Sequence, residues 1–142
     1  MKKGIILFVV VALLAGLAVS CSNTPAATEL KVGFIGPLSG DYAKYGVLMS
    51  QAAQLAIDER NAAAPFGEAK VVLVKEDSEG KPEKATAAFE KLSSVDKIQG
   101  LIGEVFSGAS LAISPKAESA KIVMFSASAS HPDLTKDKKF TF

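Results

Sequence analysis

Residues 98–134 read IQGLIGEVFSGASLAISPKAESAKIVMFSASASHPDL, and the fold follows from how this stretch is divided. Ile98–Ile102 is an apolar run with strand character, and Gly103–Ser110 is a turn of small residues. A helix then runs to about Ala120, and Ile122–Phe125 is a second apolar strand. Ser126–Ser130 (SASAS) forms another small-residue turn. Two buried strands joined through a helix make a βαβ unit with parallel strands. Both hydroxyl-rich turns then fall at the carboxyl ends of those strands, the edge at which open α/β sheets bind ligands.

Working outward, the same alternation recurs upstream. Leu30–Ile35 reads as a strand with Val32, Phe34 and Ile35 inward, and Gly36–Gly40 (GPLSG) breaks it into a loop. A helix is expected from about Ala43 to Asn61, its apolar face drawn from Val47, Leu48, Ala52, Leu55 and Ala56. Pro65 and Gly67 close it. Val71–Val74 is expected to be a second buried strand, rich in β-branched residues, Lys75–Lys81 is a charged turn, and Pro82 opens a helix whose inward stripe is Ala85, Ala88, Phe89 and Leu92. Pro115 predicts a kink in the next helix, or a restart with Ser114 as N-cap. The order β-α-β-α-β-α-β predicts an α/β fold with a doubly wound parallel sheet. Lys138–Phe142 reads as the start of a further strand, so the sequence is expected to be the front part of a longer protein.

The N-terminus has a different character. Lys2 and Lys3 precede an uncharged apolar run, Gly4–Val19, in the pattern of a secretory signal. The run is short for a membrane-spanning helix, which needs ~20 residues. Ala18-Val19-Ser20-Cys21 resembles a bacterial lipobox, although lipoboxes prefer Leu where Ala18 stands. That resemblance makes Cys21 the expected lipid attachment site, holding the protein to a membrane through acyl chains. Residues 1–20 are then a signal peptide, 21–29 a flexible tether, and 30–142 the folded lobe.

Charge and cysteine content exclude several functions. Residues 21–142 carry 14 basic and 15 acidic side chains, a net charge of −1, so there is no basic stripe for nucleic acid. One cysteine permits no internal disulfide, and with a single histidine it cannot build a structural zinc site. Gly33–Gly40 is GxxGxxxG with a proline inside it, which is neither a dinucleotide fingerprint nor a Walker loop. Ser107, His131 and Asp133 share the ligand edge, but Ser107 lies in EVFSGA, outside the GxSxG elbow of serine hydrolases. The remaining chemistry is capture of a small zwitterion. Free N–H groups at a helix start attract an anion, and serine hydroxyls can donate to a carboxylate or accept from an ammonium. Ser and Gly are also ordinary cap and turn residues, and composition does not separate the two readings.

Four segments together, FIGPLSGDYAKYG, LAIDERN, IQGLIGEVFSGAS and VMFSASASHPDLT, resemble the leucine/isoleucine/valine-binding proteins in order and spacing. These are the substrate-binding components of branched-chain amino acid ABC importers, with the type I periplasmic-binding fold. The resemblance implies an incomplete N-terminal lobe, no cofactor, no enzymatic activity, and an extracytoplasmic protein that meets ABC permease subunits. It implies that Ser107, Ser128, Ala129 and Ser130 hold the α-carboxylate and α-ammonium of an aliphatic amino acid or amide relative, with Ser130 in place of the usual threonine. Tyr45 would pack on the ligand. Some members carry a disulfide between the loops after the second and third strands; here Phe106 stands at its second position. A ligand-sensing module of the same fold and a small secreted serine hydrolase are the alternatives.

Overall fold

The computed structural model describes residues 29–142 except Phe66 and Glu68. The elements are β1 (Glu29–Gly36), α1 (Ala43–Ala63), β2 (Lys70–Asp77), α2 (Pro82–Lys91), β3 (Gly100–Gly103), α3 (Ser107–Ala120) and β4 (Val123–Phe125). The four strands are parallel in the order β2-β1-β3-β4. The chain therefore steps one way from β1 to β2 and the other way through β3 to β4. That reversal is the switch point of an open sheet, and it lies between the carboxyl ends of β1 and β3.

The side chains alternate across the sheet as the strand period requires. Ile35, Leu101 and Met124 face α2 and α3, where they join Ala85, Phe89, Leu92, Ile113 and Ala117 in one buried core. α2 enters at Pro82, which has no N–H to leave unpaired at a first turn. Its inward stripe is the expected one, with Leu92 buried at the start of a five-residue π-helical turn.

Several local expectations are corrected. β3 starts at Gly100 rather than Ile98, because Gln99 N–H bonds to Lys31 O and Ile98 N–H turns back to Leu92 O. α3 begins at Ser107, inside the segment expected to be a turn. β2 runs on through Lys75, Glu76 and Asp77, residues expected in a charged turn, because each pairs with β1. Pro115 does not restart α3, which runs unbroken from Ser107 to Ala120. Ile113, Ser114 and Ala117 are buried, so packing holds the helix through the proline, and a buried Ser114 is not an N-cap.

The largest correction concerns α1. Its buried residues are Gly46, Ser50 and Ile57, whereas Leu48 and Leu55 are 64% and 60% exposed. The reason is close approach. A Cβ at Gly46 would lie 2.2 Å from the Pro37 carbonyl oxygen, so the helix comes in on its smallest residues and turns its leucines outward. At its far end Asn61 donates to Val71 O (2.8 Å) and accepts from Val71 N–H (2.9 Å), standing in for a strand neighbour at the β2 edge.

After β4 the chain passes a 3-10 turn (Pro132–Leu134) and returns beside β4. Met124 N–H bonds Phe140 O at 2.7 Å, and Phe142 N–H bonds Met124 O at 2.9 Å. This bridge is parallel, as expected for the start of a fifth strand.

Candidate ligand-binding edge

Four loops meet at the carboxyl edge of the sheet, and polar side chains tie each to the next. The first tie is Asp77, at the end of β2. Its carboxylate accepts from the backbone N–H groups of Leu38 (2.8 Å), Ser39 (3.3 Å) and Glu79 (2.8 Å), and from the Ser39 hydroxyl. Burial pushes this carboxyl up, but the four donors outweigh it and hold Asp77 below its ordinary value. Two amides of the loop after β1, those of Leu38 and Ser39, are thereby committed to an internal anion.

Glu104 is the second tie. It is fully buried, and it accepts from the Ser78 hydroxyl (2.6 Å) and the Phe106 N–H (2.6 Å). Burial pushes its carboxyl above the ordinary value, partly offset by those bonds and by the Val105 N–H. The Glu104 carbonyl in turn accepts from the hydroxyls of Ser110 (3.0 Å) and Ser126 (2.6 Å). The Ser128 hydroxyl donates to Val105 O (2.7 Å), and Ser130 N–H donates to the Ser107 hydroxyl (3.2 Å). The serines after β4 are thus sewn to the loop after β3.

Each residue singled out from the sequence can now be placed. Ser107 is the first residue of α3, whose N-cap, Phe106, supplies no side-chain cap. The first intrahelical bond is Ser110 N–H to Phe106 O, so the amides of Ser107, Gly108 and Ala109 have no helical acceptor. Gly108 is exposed, and a Cβ there would meet nothing within 4 Å. Ser130 is joined to Ser107 directly. Ser128 is adjacent, but its hydroxyl is spent on Val105 O. Ala129 packs on the core, and its N–H donates to the Ser126 hydroxyl (3.1 Å). Tyr45 is 48% exposed at the start of α1, its ring edge-on to Phe106 at 6.4 Å. Cys21, the expected signal peptide and the expected tether as far as Thr28 lie outside the described residues, while Glu29, expected in the tether, is the first residue of β1.

Sequence reasoning missed Asp77, Glu104 and Ser126. A usable signal existed for Glu104, a lone acid inside the apolar run LIGEVF. It also missed an aromatic cluster: Tyr42 meets Phe106 edge-to-face with centroids 5.0 Å apart, and Phe106 lies over Gly80. A Cβ at Gly80 would come within 3.0 Å of that ring, and φ there is +72°. The loops after β2 and β3 are therefore clasped by ring-on-glycine packing at Phe106. A hydrolase arrangement is not formed. The Ser107 hydroxyl is bonded to Ser130 N–H, while His131 Nδ1 accepts from Asp133 N–H (3.2 Å).

The open start of α3 and the serine loop after β4 stand beside the switch point, on the edge where open α/β sheets take ligands. Residues 29–142 match the family described as periplasmic binding protein. The chain belongs to that family. A Leu/Ile/Val-binding protein, BraC3, of Rhizobium johnstonii is 34% identical over 125 residues, covering 87% of this chain and 34% of its own length. A Leu/Ile/Val-binding protein of Citrobacter freundii is 36% identical with the same coverage. Among solved structures, the branched-chain amino acid transporter substrate binding protein LivJ from Streptococcus pneumoniae, in complex with isoleucine, matches with TM-score 0.77 and 31% identity. That match covers 81% of this chain and 33% of the other. The chain thus spans about a third of the length of the relatives it matches, and as a periplasmic binding protein it presents a partial lobe.

Proposed function

We propose that this chain is the N-terminal lobe of a substrate-binding lipoprotein of an ABC importer, taking a branched-chain or other aliphatic amino acid or an amide relative. The observation that carries the reading is the uncapped start of α3, with Ser130 bonded to Ser107 beside it. The amides of Ser107–Ala109 and the Ser107 hydroxyl face an α-carboxylate, favoured by the helix dipole. The Ser130 hydroxyl and the carbonyls of Ser128 and Ala129 accept from an α-ammonium. Tyr45 packs on the aliphatic part. Binding and closure of a second lobe replace chemistry, and closure presents a surface to the membrane permease. Residues 1–20 serve as the signal peptide and Cys21 as the lipid-bearing residue, which places the lobe outside the cytoplasm on a short tether.

The test is isothermal titration of the full-length protein with L-leucine, L-isoleucine and L-valine. Saturable heat with at least one is expected, and Ser107→Ala should weaken it by about 1–3 kcal/mol because a ligand charge loses a partner. Flat titrations with all aliphatic amino acids and their amides would overturn the reading, and unchanged affinity in the variant would remove Ser107 from the site. Intact mass of the membrane-bound protein before and after lipoprotein lipase tests Cys21 separately.

A further inference from the structure

We propose that Glu104 is the positioning residue of the ligand edge: its buried carboxylate fixes the backbone entering α3, and its carbonyl gathers the serine loop after β4 onto that helix. The inference rests on the amino acid-binding reading and adds what keeps that site in shape. Glu104 stands three residues before Ser107 and touches no solvent. One carboxylate oxygen accepts from Phe106 N–H, the last amide before the open helix start, and the other from Ser78 in the loop after β2. Ser126 and Ser110 reach the same residue's carbonyl from β4 and α3. One residue therefore sets the relative placement of three loops.

The charge is what makes this more than packing. The groups facing Glu104 are hydroxyls and amides: Ser78 from the β2 loop, Ser110 from α3, Ser126 from the β4 loop, and its own neighbours Val105 and Phe106. The nearest acids along the β2 loop are turned elsewhere, Asp77 to Leu38 and Ser39, Glu79 to Lys81 and Lys84. An ion buried without a cation is costly, and an uncharged side chain of the same shape would be as stable or more so. What the ion adds is two simultaneous accepting bonds. Gln at this position keeps one acceptor for Phe106 N–H but turns an NH2 toward Ser78, whose oxygen already accepts from Gly80 N–H (3.0 Å). The Ser78 hydroxyl can then only accept at this contact, so its proton turns toward solvent and the loop shifts with it, which keeps the proton paired while moving the edge.

This gives stability and affinity opposite signs, which a merely structural residue would not do. In the full-length protein Glu104→Gln should melt at the same temperature as wild type or higher near neutral pH, while binding its amino acid about tenfold more weakly. The pH dependence follows the same sign. Because Glu104 is protonated more readily folded than unfolded, its ionisation costs stability as pH rises from 4.5 through the raised folded value. Lowering the pH through that value should therefore raise wild-type stability relative to the variant, and bring wild-type affinity down to the variant's own. Equal affinities at all pH values, or melting temperature and affinity falling together in the variant, would overturn the proposal. If no amino acid binds the wild type, the ligand reading fails instead, and the Phe106 amide proton still decides this one. Its NMR shift should titrate in wild type and stay flat in Glu104→Gln, and no titration in wild type would overturn the positioning role.

Discussion

The two faces of the sheet are held by different forces. On one, α2 and α3 close over Ile35, Leu101 and Met124, and Ile113 and Ala117 of α3 are wholly buried. On the other, α1 approaches through Gly46 and Ser50 and leaves a shallow apolar groove beside it, lined by Met49, Ala52, Ile102 and Phe125. Val123 and Phe125 of β4 are 46% and 53% exposed there. α1 is placed by ties at its ends: the Gly46–Pro37 contact, the paired bonds of Asn61 to Val71, and the Asp77 carboxylate holding the loop that leads into it. The first face is stabilised by apolar area; the second buries Ile57 of α1 but relies more on fixed loops. Both arrangements serve the ligand edge, because α3 carries Ser107 and α1 carries Tyr45.

The largest expected effect lies on the first face. Ile113→Ala should destabilise the fold by ~2–5 kcal/mol, the range for emptying a well-packed aliphatic site. Urea unfolding followed by circular dichroism measures it. A loss under ~1 kcal/mol would mean that the core collapses around the gap, and the contrast between the faces would weaken.

A smaller and pH-dependent effect is expected at the tie on the second face. Asp77 has a lowered value in the folded chain, so its contribution is fully present above the ordinary carboxylate value of 3.8 and is lost as pH falls through the folded value below it. Asp77 is only partly buried, so solvent screening keeps the contribution under ~1 kcal/mol. The stability difference between wild type and Asp77→Asn should therefore be constant at neutral pH and vanish in acid. A difference that persists in acid would show that geometry, and not charge, holds the loop.

These contrasts explain what the sequence could and could not disclose. Strand and helix order was legible, because a run such as Val71–Val74 carries strand character locally even where it is only half-buried, and the helix stripe Ala85, Ala88 and Phe89 pairs its period with burial. The rotation of α1 was not, since counting apolar residues points Leu48 and Leu55 inward. The helix is instead turned by a backbone contact to Pro37 that no periodicity records. The serines at the edge were legible as a cluster of small hydroxyl residues. Their division of labour was not: Ser126 and Ser128 hold loops, while Ser107 and Ser130 lie at the open helix start. Glu104 stayed hidden because its partner Ser78 is 26 residues away, where only the folded sheet brings it close.

The smallest expected effect is the most discriminating for the second face. Leu55 is 60% exposed on the outer side of α1, one helical repeat beyond Leu48. At that exposure, Leu55→Gln should change stability by no more than about 0.5 kcal/mol, the usual range for surface substitutions. The measurement belongs on the full-length protein, because this chain spans about a third of its relatives' length. A loss of ~2 kcal/mol there would show Leu55 buried in the whole molecule, at the usual worth of a covered leucine. The two faces would then be alike in kind, both apolar and both covered, and the end ties of α1 would orient a helix that burial holds in place.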